Sequence, residues 1–266
     1  MKRDGLIICK EMKLETPVHF LHLDWMHGNV HIATGSDQDD FIRIVQRANI
    51  RFPLARCYEA RISDNTLHII DGCKNAFPLG INFQRTSLSI LLPPHTMKRI
   101  SLKTVGTRIT VDNIDAQHLD CHCTSSKLNL SGCTRHFHLR AIGSRIDGVN
   151  LHSNQLMLHA TSSPVHLHGQ FTYIHSRTTG RTLTIQSSSM LHSLDHVSTS
   201  SHIDVQIPDN HEGFKLHFKQ TGGRFKSDLT LRNLGDQRIY GHGMYPFQVK
   251  VRGGSFLVGK YSEHLS

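Results

Sequence analysis

A repeat of 18 to 20 residues is the feature that most constrains how this chain folds. From about residue 79, apolar and polar residues alternate with the period of a β-strand, and the alternating blocks recur at a nearly fixed interval. One block cannot bury its own apolar face, so the blocks must stack on one another. The sequence predicts an all-β, single-stranded β-solenoid, similar to a β-helix, with one rung per repeat. The first inward residues of successive rungs are Ile81, Ile100, Leu119, Phe137, Leu156, Ile174 and Leu194.

Each predicted rung contains two inward pairs separated by a small corner residue, because tight bends often need a positive φ. The second inward column comprises Phe83, Leu102, Cys121, Leu139, Leu158, Ser176 and His196. The corners are Ser87, Gly106, Ser125, Gly143, Ser162, Gly180 and Ser200. The second inward pair begins at Ile90, Ile109, Leu128, Ile146, Val165, Leu183 and Ile203.

The organisation expected from this pattern is one continuous domain. Residues 79–206 form the regular solenoid, and residues 1–78 and 207–266 contribute less regular capping strands. The stretch from Phe41 to Phe52 fits a strand or a short helix, and periodicity does not decide between them.

A basic charge balance favours anionic partners. Lys and Arg total 30 against 21 Asp and Glu, and 22 histidines add charge in mild acid. The start of the sequence lacks a convincing secretory signal, and no segment is apolar for long enough to cross a bilayer. We therefore expect a cytoplasmic protein, with peripheral association with the cell envelope as an option.

Strand alternation predicts a basic stripe on the outside of the solenoid. One basic residue per rung stands between the first two inward columns: Lys103, His122, Arg140, His159 and Arg177. A parallel column beside the second strand comprises Arg108, Lys127 and Arg145. Because like charges on adjacent strands repel, a bound polyanion would stabilise the stripe. A polyanion-binding surface and a merely solvated face both remain open as interpretations.

Carboxylates are too sparse for common hydrolytic chemistry. Between Cys121 and Leu194 the only carboxylate is Asp147, whereas enzymes that cleave glycosidic bonds generally need paired carboxylates. We predict that the chain is not an enzyme and has no catalytic residues.

The cysteines suggest a metal site that strand geometry disfavours. Cys121, His122 and Cys123, together with Cys133, are residue types that bind zinc. Alternation turns His122 outward and the three cysteines inward, which predicts buried thiols that pack as small apolar groups. We predict no specific metal site and no cofactor.

Several short segments, in a fixed order, resemble the bacterial putative-adhesin domain of unknown function. They are Leu21–Leu23, Gly28–Ile32, Leu88–Pro93, Thr104–Val111 and Ile203–Pro208. This β-solenoid family is frequently encoded beside cell-envelope stress regulators and supplies no established catalytic residues. The resemblance spans nearly the whole chain and implies a solenoid linked to cell-envelope stress.

The predicted function is a non-catalytic binding or scaffolding solenoid. Its partner would be an unknown protein, an anionic polymer or an anionic membrane surface, without specific recognition of nucleic acid. Two alternatives remain: a carbohydrate-active β-helix enzyme, and a homo-oligomeric structural component joined through exposed strands at the ends of the solenoid.

Overall fold

The protein is described from a computed structural model that covers residues 5–15, 17–36, 41–49, 52–73 and 85–262. These residues fold almost entirely into β-strands, with one 3-10 turn at Leu54–Arg56, and confirm the predicted all-β, solenoid-like fold. Ile81 and Phe83, the first members of two predicted columns, lie outside the described residues. The chain divides into two compact units, residues 1–132 (unit 1) and residues 133–266 (unit 2).

The strands of unit 1 are β1 (Ile7–Leu14), β2 (Phe20–Met26), β3 (Asn29–Thr34), β4 (Ile42–Ala48), β5 (Glu59–Ser63), β6 (Thr66–Ile70), β7 (Thr86–Leu92), β8 (Met97–Val105) and β9 (Arg108–Thr124). A tenth strand, β10 (Lys127–Ile142), begins in unit 1 and ends in unit 2. The remaining strands of unit 2 are β11 (Arg145–Thr161), β12 (Val165–Thr179), β13 (Thr182–Ser187), β14 (Ser193–Ile207), β15 (Phe214–Ser227), β16 (Arg232–Leu234), β17 (Gln237–Tyr240) and β18 (Tyr245–Lys260).

Unit 1 stacks its rungs out of chain order. The strands β2 and β3 form one rung, with β6 and β7 on one side and β8 and β9 on the other, all in parallel pairing. Leu21 therefore pairs with Ile100. The repeat had predicted Ile81 at this position. Likewise Val30 pairs with both Leu88 and Ile109. The predicted alignment of Ile90 with Ile109 is wrong, because an inserted rung separates their strands and shifts the register by two residues.

The end of unit 1 is closed by antiparallel strands. The strand β4 pairs with β7 on one side and with β1 on the other, while β5 folds back on β6. The open choice at Phe41–Phe52 is resolved as a strand over Ile42–Ala48. Ser87, a predicted corner, instead lies within β7 and pairs with Asn29.

Unit 2 follows the predicted repeat through its middle and departs from it at its end. Ile174 pairs with Leu156 and with Leu194, at spacings of 18 and 20 residues, as predicted. The strand β18 lies between β14 and β15 and is parallel to both. Two strands that are consecutive in the chain, β14 and β15, are therefore separated by the last strand.

The predicted corners are confirmed at six positions. Gly106, Ser125, Gly143, Ser162, Gly180 and Ser200 all have φ between +49° and +81°. Glycine adopts this conformation without the steric cost that a Cβ atom brings. Serine at the other corners accepts a sterically unfavourable backbone, which the packed rungs on both sides enforce.

A column of buried hydroxyls follows most of these corners. Ser163 Oγ donates a hydrogen bond to Thr161 O at 2.8 Å and accepts one from the backbone nitrogen of Ser144 in the neighbouring rung at 3.0 Å. Ser126 makes the equivalent two bonds in unit 1, to Thr124 O and from Thr107 N. Each hydroxyl thus satisfies backbone groups that the bend removes from the strand ladder.

The inward columns form the core. Every described member of the three predicted inward columns is buried, including polar Ser176 and His196. These two bond to each other, with Ser176 Oγ 2.7 Å from His196 Nδ1, while no bond to His196 Nε2 is found among the described residues. Burial lowers the pKa of His196 to about 3. The predicted domain divisions at residues 78 and 206 remain predictions.

Candidate functional site

The basic residues of the predicted stripe point outward from neighbouring strands. In unit 1, Lys103 on β8 pairs in register with His122 on β9, and both side chains are exposed. Lys103 also lies beside Asp24, with Nζ 3.8 Å from the carboxylate oxygen. This exposed ion pair contributes little to stability, but the Asp24 carboxylate reduces the net positive charge around Lys103.

In unit 2, the stripe is a closely spaced cationic group. His159 on β11 pairs in register with Arg177 on β12, and Arg140 on β10 is near enough for its charge to act on His159. Partial burial, followed by the charges of Arg177 and of neighbouring histidines and Arg140, lowers the pKa of His159. Adding a proton to His159 therefore costs more than in water because the site is already positive.

The same outward column continues onto strands that sequence reasoning did not connect. Arg177 pairs with Val197 on β14, Val197 pairs with Lys250 on β18, and Lys250 pairs with Lys219 on β15. Lys250 and Lys219 are both exposed. The column of unit 2, called here the basic column, comprises Arg140, His159, Arg177, Lys250 and Lys219. Because β18 is inserted between β14 and β15, no fixed sequence interval relates its last two members to the first three.

A row of hydroxyls runs beside the basic column, two residues further along each strand. Thr161, Thr179 and Thr199 pair in register on consecutive strands. Arg252 follows Thr199, and Thr221 follows Arg252. This row offers hydrogen-bond donors and one more guanidinium to a ligand that lies along the basic column.

Two carboxylates on the side of the basic column opposite the threonine row each contact a histidine. Asp195 contacts His175 with Oδ2 3.0 Å from Nδ1, and Asp236 contacts His217 at 3.2 Å. Both carboxylates are exposed and each is bound to an imidazole. In the described part of the chain these two carboxylates pair with histidines and not with Arg or Lys of the basic column.

The second predicted column is less uniform. Arg108 and Lys127 follow successive corners in unit 1, and Arg108 pairs in register with Asn29. In unit 2, Arg145 Nε donates to Asp147 Oδ2 at 2.8 Å, and this carboxylate offsets its charge. The predicted column is thus only partly available to an anionic ligand.

The predicted orientation is right for two of the three cysteines. Cys121 and Cys123 are buried, and burial raises the pKa of both thiols. The prediction for Cys133 is wrong: it is exposed, with Sγ 3.5 Å from His152 Nδ1. Cys133 continues the alternation of the buried Leu128, Leu130 and Thr134, and the pattern shifts by one residue only between Thr134 and Phe137. Across the described residues, no group of three or more metal-binding side chains is arranged to hold an ion.

A family model and two solved structures are similar to this chain. A family model described as Toastrack DUF4097 matches residues 20–243. A solved structure titled as a "putative cell adhesion protein" from Clostridium sporogenes is 12% identical, with a TM-score of 0.35, and the match covers 94% of this chain and 99% of that one. A "putative adhesin" from Bacteroides fragilis is 10% identical, with a TM-score of 0.46, and the match covers 97% and 98%. A search of curated proteins gave no match. Within the described ranges, no helix has the length and apolarity needed to cross a membrane.

Proposed function

The chain belongs to the Toastrack DUF4097 family, and from the surface that unit 2 displays we propose that it is a non-catalytic module that binds a linear polyanion along the basic column. One observation supports this most strongly. Arg140, His159, Arg177, Lys250 and Lys219 stand on five strands of one sheet face, with Val197 as the one position among them that is not a basic residue. An uncompensated row of like charges costs energy, which a bound polyanion would offset.

The geometry favours a polymer over a small ligand. Adjacent strands are about 4.8 Å apart, so the basic column sets its basic side chains along one line at multiples of this spacing. The neighbouring threonine row can bond hydroxyl or anionic groups of the same chain. An anionic glycopolymer therefore suits the surface, and the family's association with cell-envelope stress regulators makes an envelope polymer the natural choice.

Binding without catalysis is consistent with the chemistry of this face. The nearest carboxylates, Asp195 and Asp236, are each engaged by a histidine rather than facing each other as an acid and base pair. The basic side chains of unit 1, Lys103, His122, Arg108 and Lys127, would strengthen encounter with a polyanion through their charge. The expected cytoplasmic location and peripheral envelope association remain predictions, which cell fractionation tests.

The test measures binding to heparin, a sulfated polysaccharide, by the full chain and by two variants of equal net charge. The column variant changes Arg140, Arg177 and Lys250 to Gln, and the control variant changes Arg135, Arg224 and Lys226 to Gln. We expect the column variant to lose at least about tenfold in affinity, since three charge contacts are removed. The control variant should stay within about threefold of the parent chain. Equal losses in the two variants would reduce the effect to net charge and contradict the proposal.

Parallel binding assays separate the possible sources of anionic charge. Vesicles of neutral lipid, with and without anionic lipid, and single-stranded DNA are compared with heparin at one ionic strength. We expect heparin to bind more tightly than either, because the face lacks the row of aromatic side chains on which successive bases stack. Stronger binding to anionic vesicles would assign the face to a membrane surface instead.

A second candidate function is self-association through the edge of unit 1. The strand β1 pairs with β4 within the described part of the chain, and its residues Ile7 and Ile8 are about half exposed, at 51% and 50%. An exposed apolar strand edge can pair with a second copy. Light scattering across a concentration series, with an Ile8→Lys variant, distinguishes a dimer that the substitution abolishes from a monomer at all concentrations.

A further inference from the structure

Three thiols gather at the closed end of unit 1. Cys57 is buried beside Ala48 and Phe52, and the half-buried Cys9 and Cys73 pack against the same cluster. These cysteines are far apart in sequence, on β1, after the 3-10 turn and after β6. The fold alone brings them together, and the proposed binding function does not use them.

Cys9 reaches this cluster because of a bulge in β1. Ile8 pairs with Arg47 and Lys10 pairs with Gln46, so Cys9 is an extra residue without a partner in the ladder. A bulge re-aims the side chain of the additional residue. The thiol of Cys9 packs against the cluster that contains Cys57, and its Sγ donates to Gln46 O on β4 at 3.4 Å.

The backbone beside Cys57 is fixed to the same two strands. Tyr58 N donates to Gln46 Oε1 at 2.7 Å, and Lys10 Nζ donates to Tyr58 O at 2.7 Å. Because residues 10 and 58 are bonded, their chain neighbours Cys9 and Cys57 are held close as well. Burial raises the pKa of Cys57 to about 11, and a hydrogen bond to Cys9 and the charge of Cys9 act in the same direction.

We propose that Cys9 and Cys57 form a reversible disulfide that fastens the edge strand β1 to the 52–58 turn. A small disulfide such as oxidised glutathione is the oxidant. The thiolate of Cys9, the more accessible of the two, attacks one of its sulfurs, forming a mixed disulfide and releasing one glutathione thiolate. The thiolate of Cys57 then attacks Cys9 Sγ and releases the second glutathione, so both cysteines lose a proton and the oxidant gains two electrons.

Cys73 is less suited to pair with Cys57. Its Sγ donates to Arg56 O at 3.7 Å, and its backbone nitrogen is bound by Asp71 Oδ1 at 2.9 Å. Cys57 forms a side-chain hydrogen bond with Cys9, whereas the thiol of Cys73 is directed at a backbone carbonyl. Cys73 therefore lies beside the disulfide without forming it.

The experiment incubates the full chain with defined ratios of oxidised to reduced glutathione, blocks remaining thiols with N-ethylmaleimide, and maps peptides by mass spectrometry without reduction. We expect a linked pair of peptides containing Cys9 and Cys57, lost in Cys9→Ser and retained in Cys73→Ser and Cys133→Ser. Cys133→Ser is the matched control because Cys133 is the exposed thiol of unit 2.

A melting curve provides a second readout that does not depend on the peptide map. Oxidation should raise the Tm of the parent chain by several degrees and leave that of Cys9→Ser unchanged, since a cross-link restricts the unfolded chain. Cys9 and Cys57 both found blocked at every glutathione ratio in the folded chain would overturn the proposal. So would a linkage of Cys57 to Cys73.

Discussion

Ser176 and His196 place a hydroxyl and an imidazole 2.7 Å apart inside unit 2, where both are 1% exposed. Alternation predicted that both positions face inward, and the repeat placed them next to each other in one column, as the pairing of their strands confirms. The hydrogen bond that joins them comes from the structure. A buried imidazole resists protonation, and burial is the first cause that lowers the pKa of His196 to about 3.

This buried imidazole should make unit 2 sensitive to acid. Below pH 6.5 the unfolded chain protonates His196, whereas the folded chain stays neutral down to about pH 3. The stability that depends on neutral His196 is therefore complete above pH 6.5. It falls by up to about 1.4 kcal/mol per pH unit as the pH drops from 6.5 toward 3.

The measurement is urea unfolding between pH 7 and pH 4, for the parent chain and for the Ser176→Ala, His196→Leu double variant, which removes both polar groups together. We expect a shallower pH dependence in the variant, because one proton-binding difference between the folded and unfolded states is gone. Identical slopes for the two proteins would show that other groups account for the acid sensitivity.

The buried hydroxyl of Ser163 tests the corner column. Ser163→Ala removes the acceptor of Ser144 N and should lower the free energy of unfolding by about 1 to 3 kcal/mol, since a buried donor loses its partner. The adjacent corner residue, Ser162 at φ of +50°, is the control: Ser162→Gly should cost less than about 0.5 kcal/mol. Denaturant unfolding compares the two, and equal losses would contradict the role given to Ser163.

At the scale of the strand, the sequence predicts rungs well where chain order and stacking order agree. Ile100 with Leu119, and Ile174 with Leu194, pair as the repeat requires. The ends were not predicted because strands from elsewhere in the chain are inserted there. The strands β2 and β3 lie between β6–β7 and β8–β9, and β18 lies between β14 and β15. A period reports spacing along the chain, and nothing in it reveals that a distant strand occupies the gap. This is why Lys250 and Lys219 were missed.

Gly169 tests how closely neighbouring strands approach at a bend. A Cβ atom there would lie 1.9 Å from Leu151 O on β11, and its φ is +156°. Gly169→Ala should therefore lower the free energy of unfolding by at least about 2 kcal/mol.

Gly180 is the matched glycine for this test. At φ of +81°, it also bends the chain, but a Cβ atom there would meet only Ser162 Oγ, at 3.9 Å. Gly180→Ala should cost about 1 kcal/mol, from backbone strain alone. Thermal and urea unfolding of both variants measure the difference, and a larger loss at Gly180 would refute the close approach.

At the scale of the whole molecule, composition predicted that a partner would carry negative charge, but it did not predict where such a partner would bind. The excess of Lys and Arg over Asp and Glu is spread along the chain, and several members of the predicted stripe are partly offset by carboxylates, as Arg145 is by Asp147. What distinguishes the basic column is register: His159 stands opposite Arg177 and Lys250 opposite Lys219, with Val197 between the two pairs. Register depends on which strands are neighbours, and here only the structure supplies that.

The salt dependence of heparin binding tests the basic column most directly. Each charge contact with a polyanion contributes about 0.7 to 0.9 to the slope of log K against log salt concentration, by analogy with nucleic acids. The column variant lacks three charges, so its slope should be smaller than that of the parent chain by about two, while the control variant keeps the parent slope. Parallel lines for parent and column variant would mean that Arg140, Arg177 and Lys250 do not touch the polymer.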